Sequence, residues 1–79
     1  MIISPHARDR MKKKGITEEE IKTCLIDGKL TIQQMVKGEI RYGKIVELKD
    51  KKLVVIYTID KNGEDRIITC YPIKKRGLI

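Results

Sequence analysis

The longest apolar run in the chain, Leu53 to Tyr57, sits inside the segment LVVIYTI that ends at Ile59. Successive side chains on a strand point to opposite faces, so a strand apolar at nearly every position is buried on both. Leu53 to Ile59 is therefore expected to be a central strand. The chain has 79 residues, so one domain spanning 1–79 is the natural count. A domain this small buries only about 60% of the surface its unfolded chain exposes, so it has little stability to spare. There is no Trp and no Phe, and only three Tyr. The core must come from Ile, Leu, Val and Met.

The elements around the central strand follow from period and punctuation. Ser4 is an N-cap and Pro5 falls at the first helical position, where its missing N–H costs nothing. A first helix is expected from Pro5 to about Lys14, ended by Gly15, with Lys12, Lys13 and Lys14 suiting the negative end of the dipole. Its apolar stripe is Ala7 and Met11, with His6, Arg10 and Lys14 on one flank, near the core boundary. Thr17 and Glu20 form a capping box and Ile16 with Ile21 a hydrophobic staple, so a second helix starts there and ends at Gly28. Its buried stripe is Ile21, Cys24 and Leu25.

From Leu30 onward the period becomes that of strands. Leu30 to Val36 and Glu39 to Leu48 flank a Lys37-Gly38 turn, and Gly43 marks a bulge or a close approach. Asn62-Gly63 signals a hairpin between the central strand and a last strand, Asp65 to Ile73, ended near Pro72. The tail Lys74-Lys75-Arg76 is basic and expected to be mobile. The order ααββββ implies an α+β domain: an αα-hairpin packed on one face of a four-stranded antiparallel sheet. In the last strand Ile68 and Cys70 are assigned to the helix side. Ile67, Thr69 and Tyr71 are assigned to the open face, a natural binding surface.

Eighteen Lys and Arg against eleven Asp and Glu leave a net charge of +7. This favours polyanionic partners by long-range attraction, or else forms a solubilising, Lys-rich surface. Cys24 and Cys70 lie far apart, without CxxC spacing, and one His cannot complete a zinc site with them. Two buried thiols in a reducing cytoplasm is the expectation, with no metal and no cofactor. The N-terminal sequence has no long apolar region of the secretory kind, and no run is long enough to span a membrane.

His6 is the only histidine, and Arg10 lies one helical turn away on the same face. Histidine changes charge near neutral pH, and arginine holds phosphate through a permanently charged fork. Together they suit phosphodiester chemistry. The competing reading is a solvated helix start in which His6 fixes the first turn.

The order ααββββ, the opening His-Ala-x-x-Arg-Met, the run Lys-Gly-Ile-Thr-Glu-Glu-Glu-Ile and the closing Ile-Ile-Thr-Cys-Tyr-Pro resemble one group. It is an uncharacterised family of small prokaryotic domains near the RelE/ParE and BrnT toxins, within a broader ribonuclease-like fold. The resemblance implies a RelE-like, metal-independent endoribonuclease of a toxin–antitoxin system, acting through the ribose 2′-hydroxyl. Its partners would be RNA, including ribosome-bound messenger RNA, and an antitoxin protein. The matching residues here are His6 as base or acid and Arg10 as phosphate clamp. Arg41 is a second cation, and Thr69 and Tyr71 are hydrogen-bond donors. Arg41 also reads as a solvated strand charge, and Thr69 and Tyr71 as ordinary strand formers. The alternative is a non-catalytic nucleic-acid-binding or protein-interaction domain of toxin fold, since fold does not settle chemistry.

Overall fold

The computed structural model describes residues 1–74. The elements, in chain order, are β1 (Ile2–Ile3), α1 (Pro5–Lys14), α2 (Glu18–Asp27), β2 (Lys29–Val36), β3 (Glu39–Glu47), β4 (Lys51–Ile59) and β5 (Asp65–Lys74). Lys75 and Arg76 of the expected basic tail lie outside the described residues; Lys74 ends β5.

Both helices begin and end where their caps dictate. The Ser4 hydroxyl accepts from the Ala7 N–H, and Gly15 closes α1 in the left-handed region, with φ of 65°. Thr17 and Glu20 make the full reciprocal capping box of α2. The Glu20 carboxylate also meets Lys51 Nζ at 3.3 Å, which ties the start of α2 to β4. The last turn of α2 carries no basic residue of its own. Lys44, from β3, supplies one: its ammonium donates to the Leu25 carbonyl at 2.6 Å, where the helix dipole favours a cation. The same ammonium lies 5.7 Å from the Tyr57 ring centroid.

The sheet has five strands in the order β1-β5-β4-β3-β2. The expected four-stranded antiparallel sheet is therefore corrected. β2 to β5 do pair antiparallel, but β1 adds a parallel edge through Ile2↔Arg66 and Ile3↔Ile67. Two residues carry no readable period, so β1 escapes sequence reasoning; tertiary contact with β5 makes it a strand. β5 also runs on through Pro72 to Lys74. The β1 pairing covers only Arg66 and Ile67, so Pro72 lies where β5 is an edge and its missing N–H breaks no ladder bond.

The helices cover one sheet face. Ala7 and Met11 of α1, Ile16, and Ile21 and Cys24 of α2 pack with Val46, Leu53, Val55, Tyr57, Ile67 and Cys70. Leu25 is only partly buried against this cluster. β4 sits in the middle of the sheet, as its composition requires. Val54 points away from the helices and is still 1% exposed, opposite Ile45 and Tyr71 on the neighbouring strands.

A bulge in β5 overturns one face assignment. Ile56 pairs with Thr69, but Tyr57 pairs with Ile67, so Ile68 is the extra residue. Ile67 and Cys70, three apart, therefore both reach the helix side and are fully buried, while Ile68 is half-buried and outside that core. Strict alternation reverses Ile67 and Ile68. Thr69 and Tyr71 do lie on the face away from the helices, opposite Ile56 and Val54. Gly43 is a close approach: a Cβ there would sit 2.8 Å from Ile32 Cβ and 3.0 Å from Ile56 Cδ1. His6, Arg10 and Lys14 are exposed instead of lying at the core boundary, because only Ala7 and Met11 of α1 are buried.

Backbone strain at one turn and burial of one thiol each set a measurable part of the stability. The β2–β3 turn places Lys37 at φ 51° and Gly38 at φ 78°. An L-residue other than Gly, Asn or Asp is strained there, by roughly 1 kcal/mol. Lys37→Asn should raise unfolding stability by up to about 1 kcal/mol in urea titration. The second concerns pH. Burial pushes the Cys24 thiol from 9.0 up to about 11, against a smaller downward pull from Lys44. Burial also raises Cys70 and Tyr57. For Cys24 the unfolded thiol ionises first, so its contribution is complete below pH 9 and lost between about pH 9 and 11. Melting temperature should fall with rising pH in that window, and Cys24→Ala should flatten the slope. An unchanged slope in that variant would refute the assignment.

Candidate functional site

Strand alternation puts Arg41, Thr58 and Arg66 on the sheet face opposite the helices. Tyr57 faces the core, so its neighbour Thr58 does not, and Thr58 pairs with Arg66. Arg41 precedes Tyr42, which packs on the helix-side cluster and stacks on Tyr57 with centroids 5.5 Å apart. The three residues belong to three adjacent strands, β3, β4 and β5.

The chain entering α1 closes this corner. Ser4 N–H donates to the Ile67 carbonyl at 3.1 Å, and the Ser4 hydroxyl donates to the Ile68 carbonyl at 3.1 Å. These bonds use the two residues at the bulge and bring the first turn of α1 against β5. His6, in that first turn, then lines a groove of about 340 Å³ with Arg41, Thr58, Arg66, Ile68 and Glu39.

The electrostatics of the groove are uneven. Arg41 Nε is buried without a hydrogen-bond partner among the described residues. Its nearest acid is Glu39 Oε1 at 3.7 Å, an ion pair too long for a hydrogen bond. A buried guanidinium N–H without a partner is costly. The Thr58 hydroxyl is committed, donating to the Ile40 carbonyl at 2.9 Å, and the residue is buried. It shapes the floor and has no free donor. Arg66 is exposed at the rim, so the groove offers an anion two guanidinium groups and an imidazole.

The groove thus gathers His6 and Arg41 from among the residues singled out by sequence. Arg10 is exposed on α1 and does not line it. Thr69 and Tyr71 lie further along β5, where Tyr71 is opposite Val54, and do not line it either. Arg66 and Thr58 are new. No single segment signals them, because their meeting with Arg41 depends on the register between strands. Among the described residues, no group of three or more His, Cys, Asp and Glu is placed to hold a metal ion. Among them too, no helix is long and apolar enough to cross a membrane.

No curated protein and no solved structure matches this chain. One family does: the domain of unknown function DUF4258 matches residues 3–72. That span runs from β1 through both helices to Pro72 in β5, and so includes every residue of the groove except Ile2. With nearly its whole length matched, the chain belongs to the DUF4258 family.

Proposed function

We propose that this domain is a toxin-like, metal-independent endoribonuclease of RelE type, and that the His6 groove is where it holds the scissile phosphate. The observation that carries the reading is an Arg41 whose Nε has no hydrogen-bond partner among the described residues, lining one groove with the only histidine of a chain with net charge +7. Arg41 and Arg66 clamp the phosphate oxygens and stabilise the charge that develops in the transition state. The imidazole of His6 removes the proton of the ribose 2′-hydroxyl. The 2′-oxygen attacks phosphorus, the bond to the 5′-oxygen breaks, and that oxygen takes a proton from water. The products are a 2′,3′-cyclic phosphate and a 5′-hydroxyl end.

Arg10, Thr69 and Tyr71 lie outside the groove and fit contacts to flanking parts of the RNA. A messenger RNA on the ribosome is the proposed substrate, and an antitoxin that covers the groove is the proposed protein partner, in the cytoplasm.

The test is induced expression in bacteria together with cleavage of RNA by purified protein. Growth should stop, and RNA should be cut in the presence of EDTA to leave cyclic phosphate ends. His6→Ala should lose on the order of 10²–10⁴ in rate. It should keep its melting temperature, because His6 is exposed and outside the core. Arg41→Ala should lose rate as well. A folded His6→Ala protein with an intact rate would end the assignment. RNA binding without cleavage in the wild type would leave a non-catalytic nucleic-acid-binding domain. In either case affinity for RNA should fall steeply between about 50 and 200 mM salt, through counterion release.

A further inference from the structure

The His6 groove holds an acid among its cations. Among the described residues its charged lining is Arg41, Arg66 and Glu39, and His6 is the one other titratable group in it. Register fixes the spacing of the cations. Tyr42 pairs with Tyr57 and Thr58 with Arg66, so Arg41 and Arg66 flank Thr58 at one level of the sheet. They stand two strands apart, roughly 10 Å between Cα atoms, which leaves room for a phosphate between their side chains. Glu39 comes from the same strand as Arg41, two residues earlier, and so from the same face.

Glu39 does little for the fold. Its carboxylate lies 3.7 Å from Arg41 Nε, too far for a hydrogen bond, and its side chain is 49% exposed. An ion pair this solvated contributes little stability. Its charge still acts on whatever enters the groove, because Glu39 lines it. Two guanidinium groups and one carboxylate, beside a neutral imidazole able to accept a proton, leave one net positive charge. A phosphodiester carries a single negative charge, whereas a phosphate monoester carries nearly two at neutral pH. Coulomb repulsion scales with the charge of the anion, so the carboxylate penalises a monoester about twice as much in free energy.

We propose that Glu39 is a specificity-determining residue, which makes the groove select a phosphodiester inside a strand over a terminal phosphate or a free mononucleotide. The proposal rests on the reading of the groove as a phosphate site. The carboxylate sets the charge of the groove to match one singly charged linkage. Without it, the same two arginines would favour a doubly charged monoester.

The test compares two probes by NMR titration of the full chain at about pH 8, where a monoester is doubly charged. The diester probe is a 2′-deoxy dinucleoside monophosphate, which lacks the 2′-hydroxyl needed for cleavage. The monoester probe is the 2′-deoxynucleoside 5′-monophosphate of the same base. Each affinity is read as the ratio of Glu39→Gln to wild type, so contacts to the base cancel. Glu39→Gln should tighten the diester about threefold and the monoester about tenfold, a single penalty relieved against a double one. Its melting temperature should stay that of the wild type, since Glu39 is exposed. Asp50→Asn removes the same charge from an exposed turn outside the groove. Screening should hold its effect on either probe below about twofold. Equal tightening of the two probes in Glu39→Gln would overturn the proposal, as would a change no larger than that in Asp50→Asn. The phosphate reading fails on a different result, and takes this proposal with it: neither probe binds the wild type, or Arg66→Ala leaves both affinities unchanged. A groove that discriminates in this way and never cuts RNA keeps the selectivity and loses the nuclease.

Discussion

The fold is organised by the need to bury β4 from both sides in a chain with few large side chains. Leu53, Val55 and Tyr57 face the helices, and each is 6% exposed or less. Burying one such side chain is worth roughly 1.5–3 kcal/mol, a sizeable share of a small domain's stability. That requirement puts β3 and β5 on either side of β4 and draws both helices onto one face. Val54 shows that the other face is not bare, since it is as buried as the helix-side residues. Ile45 and Tyr71, its cross-strand neighbours, supply the flanking side chains.

The bulge at Ile68 is the second decisive device. It lets Ile67 and Cys70 both enter the core and turns the following strand so that Thr69 and Tyr71 face outward. It also positions the Ile67 and Ile68 carbonyls that receive both hydrogen bonds from Ser4. Ser4 is at once the N-cap of α1 and the bolt that fastens it to β5. The bulge is thus part of why a histidine in the first helical turn meets arginines from β3 and β5. Bulges are over-represented next to functional sites for this reason: they re-aim side chains that regular alternation would send elsewhere.

Charge works locally as well as globally here. The net charge of +7 sets long-range attraction for polyanions, but each partly buried cation has its own task. Lys44 neutralises the end of α2, and Lys51 anchors its start through Glu20. Arg41 differs, because its Nε is buried without a hydrogen-bond partner among the described residues. A structural cation satisfied by its own fold and one left open are distinguishable only by their partners, and composition counts them alike.

Local signals were legible in the residues themselves. Ser4, Pro5 and Gly15 determined α1; Thr17, Glu20 and Gly28 determined α2; and the Lys37-Gly38 and Asn62-Gly63 steps marked the turns. These depend on backbone groups a few residues apart, so a linear reading reaches them. The same holds for the central place of Leu53–Ile59, which its own composition dictates. Tertiary structure alone decided the rest. β1 exists because β5 is there to pair with it, and the extra residue in β5 appears only against the register of β4. The meeting of His6, Arg41 and Arg66 combines a helix start with two strands that are not neighbours in sequence. Its geometry comes from inter-strand register, a property of the packed sheet that no one segment contains.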